Sequence, residues 1–150
     1  MVNLVKKIVE DIKALDVNDS AYIEEYEILL SRIADINIPV VIEHLIPLFD
    51  DEFEYDEIMY SIIHIIEGYN DIEYCSHLLK TLPSFIYKSP RWASVVHMRI
   101  MNSKETLEEY IKVCQKASLE QKRSIKLLLE FINKEDLSFF SKTTPLLEVL

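Results

Sequence analysis

Glycine is almost missing: the 150-residue chain has one, Gly68. Hairpins, sheets and phosphate-cradling loops ordinarily draw on several, so the shortage points toward helices joined by short connections. Cysteine is nearly as scarce. Cys75 and Cys114 lie far apart with no C-x-x-C spacing, which argues against a disulfide scaffold and a cysteine zinc site. They read as reduced, buried thiols. No apolar run approaches the roughly 18–20 residues that span a bilayer. The opening stretch MVNLVKKIVEDIKAL mixes lysines and acids into its apolar pattern and lacks the apolar core and cleavage site of a signal peptide. The expectation is a mature cytoplasmic protein without membrane association.

A second absence concerns charge. Between Arg32 and Lys80 there is no lysine or arginine, while 33–79 holds eleven acids. The other 15 acids face all 16 basic side chains, so the interval carries −11 and the remainder +1 of the net charge of −10. Its densest part is LFDDEFEYDE, residues 48–57. Such a concentration costs self-repulsion and does little for a fold. It repels phosphate backbones, so nucleic acid is not expected as a partner, and it suits docking to a basic protein. The acids do not follow a calcium-loop pattern. Glycine-rich phosphate loops, a G-x-S-x-G elbow and spaced Cys–His constellations are also missing. Neither catalysis, a cofactor nor a bound metal is expected.

What is present is helical periodicity. Val2, Val5, Ile8, Val9, Ile12 and Leu15 fall on one side of a first helix. Asn18, Asp19 and Ser20 offer caps for a second over 20–34, and Pro39 opens a third over 39–48 that Pro47 ends or bends. A fourth, 55–67, should stop at Gly68 with a positive φ. Further helices are expected over 72–81, in a short segment 83–88 after Pro83, and over 90–101, 104–117 and 119–133. The last opens with a Ser118–Gln121 capping box. The tail around KTTPLLEVL reads as irregular with one apolar anchor.

A shift of 33 residues aligns His44-Leu45-Ile46 with His77-Leu78-Leu79, and Ser61-Ile62-Ile63-His64-Ile65 with Ser94-Val95-Val96-His97-Met98. Two segments agreeing at one offset indicate repeated antiparallel helix pairs that share a core by stacking. The expected fold is therefore all-α, a HEAT-like α-solenoid in a single domain over 1–150, with a capping pair over 1–35, repeats over 36–134 and a tail over 135–150. An unrepeated helix bundle is the alternative. Repeat-equivalent histidines stand about one helix spacing apart, roughly 8–10 Å, too far to share a zinc ion.

In such a stack the second helix of each pair lines the concave side. Glu57, Tyr60, His64 and Glu67 share one stripe of the fourth helix, and the equivalent helix would present Ser94, His97 and Met101 after Arg91. The loop 50–54 would form the rim. The candidate partner-binding residues are thus Asp50, Asp51, Glu52, Glu54, Tyr55, Asp56, Glu57, Tyr60, His64, Glu67 and His97, with the tyrosines as anchors. Trp92 aligns with Met59 and is expected in the core. Arg91 and Arg99 are expected to pair with neighbouring acids.

The segments LIPLFDDEFEYDEIMYSIIHIIEGYND and PSFIYKSPRWASVVHMRIMNS resemble the all-helical immunity proteins of bacterial polymorphic toxin systems, the family called immunity protein thirty. The similarity spans about 38–133 and is carried by the LFDD–FEYDE–SIIH run and by the W-x4-H-x-R-I-x-N run from Trp92 to Asn102. The resemblance implies a cytoplasmic protein that binds a cognate toxin and blocks its active site; the free chain is expected to be a monomer. Acidic charge points to a basic toxin, a nuclease by preference. A repeat scaffold or adaptor for a basic peptide or regulatory protein remains the alternative.

Overall fold

A computed structural model describes residues 1–150, and all nine α-helices pack on one core. The first pair is α1 (Val2–Lys13) and α2 (Tyr22–Ile36). In α1, Val5, Ile8, Val9 and Ile12 are buried, the stripe that the periodicity places inward. No side chain caps α2; Asp19 instead accepts the Ala21 N–H in the preceding turn, at 2.9 Å. Asn37 ends α2 in the left-handed region, with φ 53°. It is the chain's one residue at positive φ, whereas Gly68 has φ −72°. The expectation that Gly68 takes that conformation is corrected: an asparagine, which also tolerates it, does so.

The second pair is α3 (Val41–Leu45), continued by a 3-10 turn over Ile46–Leu48 at Pro47, and α4 (Asp56–Glu67). The third is α5 (Asp71–Lys88) and α6 (Pro90–Met101). Here the sequence misleads. Pro83 does not divide two helices but lies inside one. A proline leaves the carbonyl four residues earlier without its N–H partner. That carbonyl belongs to Leu79, and the Gln121 side-chain amide donates to it at 3.3 Å. The rest of α5 is held by its buried face, which includes Tyr74, Cys75, Leu78, Leu79, Leu82 and Phe85.

The fourth pair is α7 (Lys104–Gln115) and α8 (Leu119–Glu135), the latter opened by the expected Ser118–Gln121 capping box. The tail is not irregular. Asp136 accepts the Ser138 N–H at 3.0 Å, a 3-10 turn follows over Leu137–Phe139, and α9 runs Phe140–Leu147. Phe139, Thr143 and Leu146 are buried at helical spacing, and that burial outweighs the signal of Pro145.

The first helices α1, α3, α5 and α7 contact one another in chain order, and α2 packs on α4. Side-chain links repeat the pattern: Ser61 with Glu27, His77 with Glu43, Arg99 with Glu67, Arg91 with Asp56 and Thr106 with Asp71 join positions 32 to 35 residues apart. Position-for-position burial agrees at Leu45 and Leu78 and at Met59 and Trp92, all of them core residues. No helix is long and apolar enough to cross a membrane.

Candidate interaction surface

The loop between α3 and α4 is built inward from Phe49, whose ring stacks on Phe85 at 5.1 Å and on Trp92 at 6.0 Å. Ser89 precedes α6 but does not cap it, because its hydroxyl donates to the Phe49 carbonyl at 2.7 Å. The first-turn donors of α6 go instead to Asp51, which accepts the N–H groups of Arg91 at 2.9 Å and Trp92 at 3.1 Å. Asp51 is thus a helix cap supplied by the preceding pair, and its negative charge suits the helix N-terminus. Asp50 accepts the Glu52 N–H at 2.9 Å, which shapes the exposed tip.

The acids therefore divide. Asp56 pairs with Arg91 at 3.0 Å, and Glu67 holds Arg99 through two bonds of 2.8 Å. These are the arginine–acid pairings expected from the sequence. Together with Asp51, they are directed at the protein's own next helix. Asp50, Glu52, Glu54 and Glu57 are exposed and form no ion pair. The field of this face rests on them.

Beside the free acids lies an aromatic cluster. Tyr55 packs on Tyr22 at 5.9 Å and on Phe53 at 5.6 Å, and Tyr26 closes the group against Tyr22 and Phe53. Tyr55 is half-buried within it. Burial pushes the Tyr26 hydroxyl well above its ordinary pKa, with Tyr22, Glu27 and Asp50 adding to the shift. Phe53 and the α2 acid Glu27, which accepts the Ser61 hydroxyl at 2.8 Å, belong to this face, and sequence reading missed both. The signal was available in the four-residue spacing of Tyr22 and Tyr26 next to Glu27, but the interval free of lysine and arginine begins only after Arg32.

Along α4, Glu57, Tyr60 and His64 all point to solvent, with Glu67 half-exposed beyond them. Tyr60 is 39% exposed and rests edge-on against the buried Trp92 at 5.3 Å. His64 borders a pocket of about 240 Å³ with Asn37 and Tyr69. The stripe read from α4 is thus one continuous surface.

Its proposed continuation on α6 is not. His97 is fully buried and cannot meet a partner, and Ser94 and Met101 are buried with it. The reason is α7, which covers this side of α6. The His97 ring hydrogen-bonds through Nδ1 to the Ala93 carbonyl at 2.7 Å, so that nitrogen carries the proton, and Nε2 accepts from the Tyr110 hydroxyl at 2.6 Å. Burial lowers its pKa to about 4. Equivalent positions in a repeat need not share exposure when one has a further helix stacked upon it.

Nothing in this geometry gathers metal donors. Glu43 and Glu73 approach His77 at different ring nitrogens and so do not converge on one point. Burial raises both cysteine thiols to about 12, which leaves them protonated and unreactive.

No curated protein and no solved structure matches the chain. The family model described as Immunity protein 30 does, over residues 11–110. That span runs from within α1 into α7 and contains the acidic loop, the aromatic cluster and the α4 stripe. By a match that covers two-thirds of its length, the chain belongs to the Immunity protein 30 family.

Proposed function

We propose that this chain binds a cognate toxin domain with a basic active site, a nuclease by class, and neutralises it by occupying that site. The carrying observation is the grouping of Asp50, Glu52, Glu54 and Glu57, exposed and without basic partners, around the Tyr22–Tyr26–Phe53–Tyr55 cluster. Family membership supplies the toxin as partner. The charge supplies its sign, because an enzyme that cleaves nucleic acid needs a positive cleft and an acidic surface competes for it. Exposed Tyr60 provides apolar contact at the centre of the stripe. On this reading the chain acts by binding rather than by catalysis, in the cytoplasm, and is monomeric when free. The links at 32 to 35 residues support a HEAT-like solenoid as the scaffold.

The test is co-expression with the toxin encoded next to this gene, scored as growth, followed by measurement of binding between the purified partners. Rescue with a stable complex is expected. Loss of both would remove the immunity reading. A complex with a non-nuclease toxin would remove only the choice of class.

A further inference from the structure

The seam between α4 and α6 ends in a polar pocket of about 400 Å³, lined by Glu67, Asp71, Tyr74, Arg99, Asn102 and Thr106. Tyr74 is only 2% exposed, and its hydroxyl has no hydrogen-bond partner within the chain. Burying a hydroxyl unpaired costs free energy, so a side chain kept in this condition beside a pocket points to something that enters it. Burial first, and the Glu67 carboxylate next, hold this phenol protonated and neutral.

The lining specifies the charge of the visitor. Arg99 is matched by its two bonds to Glu67, which leaves Asp71 as the uncompensated charge. One oxygen of Asp71 accepts the Thr106 hydroxyl at 2.9 Å, in the first turn of α7. That helix end therefore already has its anion, and a second would be repelled. A cation instead finds Asp71 and the second lone pairs of Glu67 as acceptors, with the unpaired Tyr74 oxygen enclosed within the same lining.

We propose that this pocket receives the cationic end of an arginine or lysine side chain from the protein partner. The inference rests on the toxin-binding reading, because Glu67, the last residue of the stripe formed with Glu57, Tyr60 and His64, lines the pocket. A partner lying along that stripe reaches it.

Two measurements test this. In the first, the amide resonances of Asn102, Ser103 and Thr106 are followed by NMR during titration with N-acetyl-arginine methylamide and its lysine counterpart. The capped norleucine and glutamate compounds serve as controls. Saturable shifts in the millimolar range are expected with the two cations alone, weakened by Asp71→Asn and by Tyr74→Phe. Asparagine keeps an acceptor for Thr106, and phenylalanine removes only the unpaired hydroxyl, so both variants should melt like the parent chain. No saturable shift, binding of the glutamate compound, or indifference to both substitutions would overturn the proposal. In the second, both variants should dissociate from the toxin about tenfold faster. Unchanged dissociation alongside intact toxin binding by the parent chain would remove the pocket and leave neutralisation standing. Absence of toxin binding by the parent chain, with the peptide shifts as expected, would remove neutralisation and leave a site for cationic side chains.

Discussion

The Asp51 carboxylate lies 3.1 Å from the backbone nitrogen of Trp92, forty-one residues along the chain, and closes the first turn of a helix that its own Ser89 leaves uncapped. A residue that reads as part of a docking surface is therefore part of the scaffold. Asp51→Ala should cost about 1–3 kcal/mol of stability, because two N–H groups lose a charged acceptor. Urea denaturation measures this. A change below about 0.5 kcal/mol would mean that water replaces the carboxylate without loss.

The neighbours of Asp51 should behave in the opposite way. Replacing Asp50, Glu52, Glu54 and Glu57 with Asn or Gln leaves stability nearly unchanged, since none forms an ion pair. Association with the toxin should slow by about tenfold or more at low salt, and its dependence on ionic strength should flatten. Stopped-flow mixing across a salt series reads both. An unaltered on-rate would reduce these acids to a solvated edge.

Gln121 serves two helices at once: its oxygen accepts the Ser118 N–H, and its amide donates to Leu79 beside Pro83. Gln121→Glu keeps the capping box but loses the donor, and should destabilise by about 1–2 kcal/mol. In a Pro83→Ala background, the restored N–H satisfies Leu79, and the cost of Gln121→Glu should shrink. A double-mutant cycle gives the coupling, and strict additivity would separate Pro83 from Gln121.

His97 makes stability depend on pH. Its folded pKa is near 4, below the ordinary 6.5. Between those values the unfolded chain takes up a proton that the folded chain refuses. Stability contributed by the neutral ring is complete above pH 6.5 and falls as pH drops toward 4, by at most about 1.4 kcal/mol per unit. His97→Gln should remove this component from the pH profile of urea midpoints. Superimposable profiles would show that the ring titrates alike in the folded and unfolded chain.

Asn37 and Gly68 should exchange their expected sensitivities. Asn37→Val places a β-branched residue at φ 53° and should cost about 1–2 kcal/mol, while Asn37→Gly should be neutral or mildly stabilising. Gly68→Ala meets the Ile65 carbonyl at 3.2 Å and the His64 carbonyl at 3.6 Å with an ordinary φ, and should change stability by less than about 1 kcal/mol. Thermal melts rank the three.

Most of the helices were legible because amphipathic spacing and local caps are properties of neighbours in the chain. The Ser118 box and the inward face of α1 are of this kind. The failures share a cause. Pro83 looked like a boundary because the donor that replaces its N–H comes from α8. Asp51 looked free because the N–H groups it caps belong to the following pair, and His97 looked exposed because Tyr110 covers it from α7. At the surface, the sequence located the charge but could not separate acids facing outward from acids gripping Arg91 and Arg99.

Ties that reach only from one helix pair to the next carry a consequence for how such a chain can change. A substitution in one layer needs accommodation in the adjoining layers and nowhere else. Asp51 and Asp56 hold the register of α6 while Glu52, Glu54 and Glu57 hang free, so the tip can diversify to follow an evolving antagonist without loosening its mount. A chimaera that swaps 50–57 between relatives while retaining those two aspartates should inherit the donor's target.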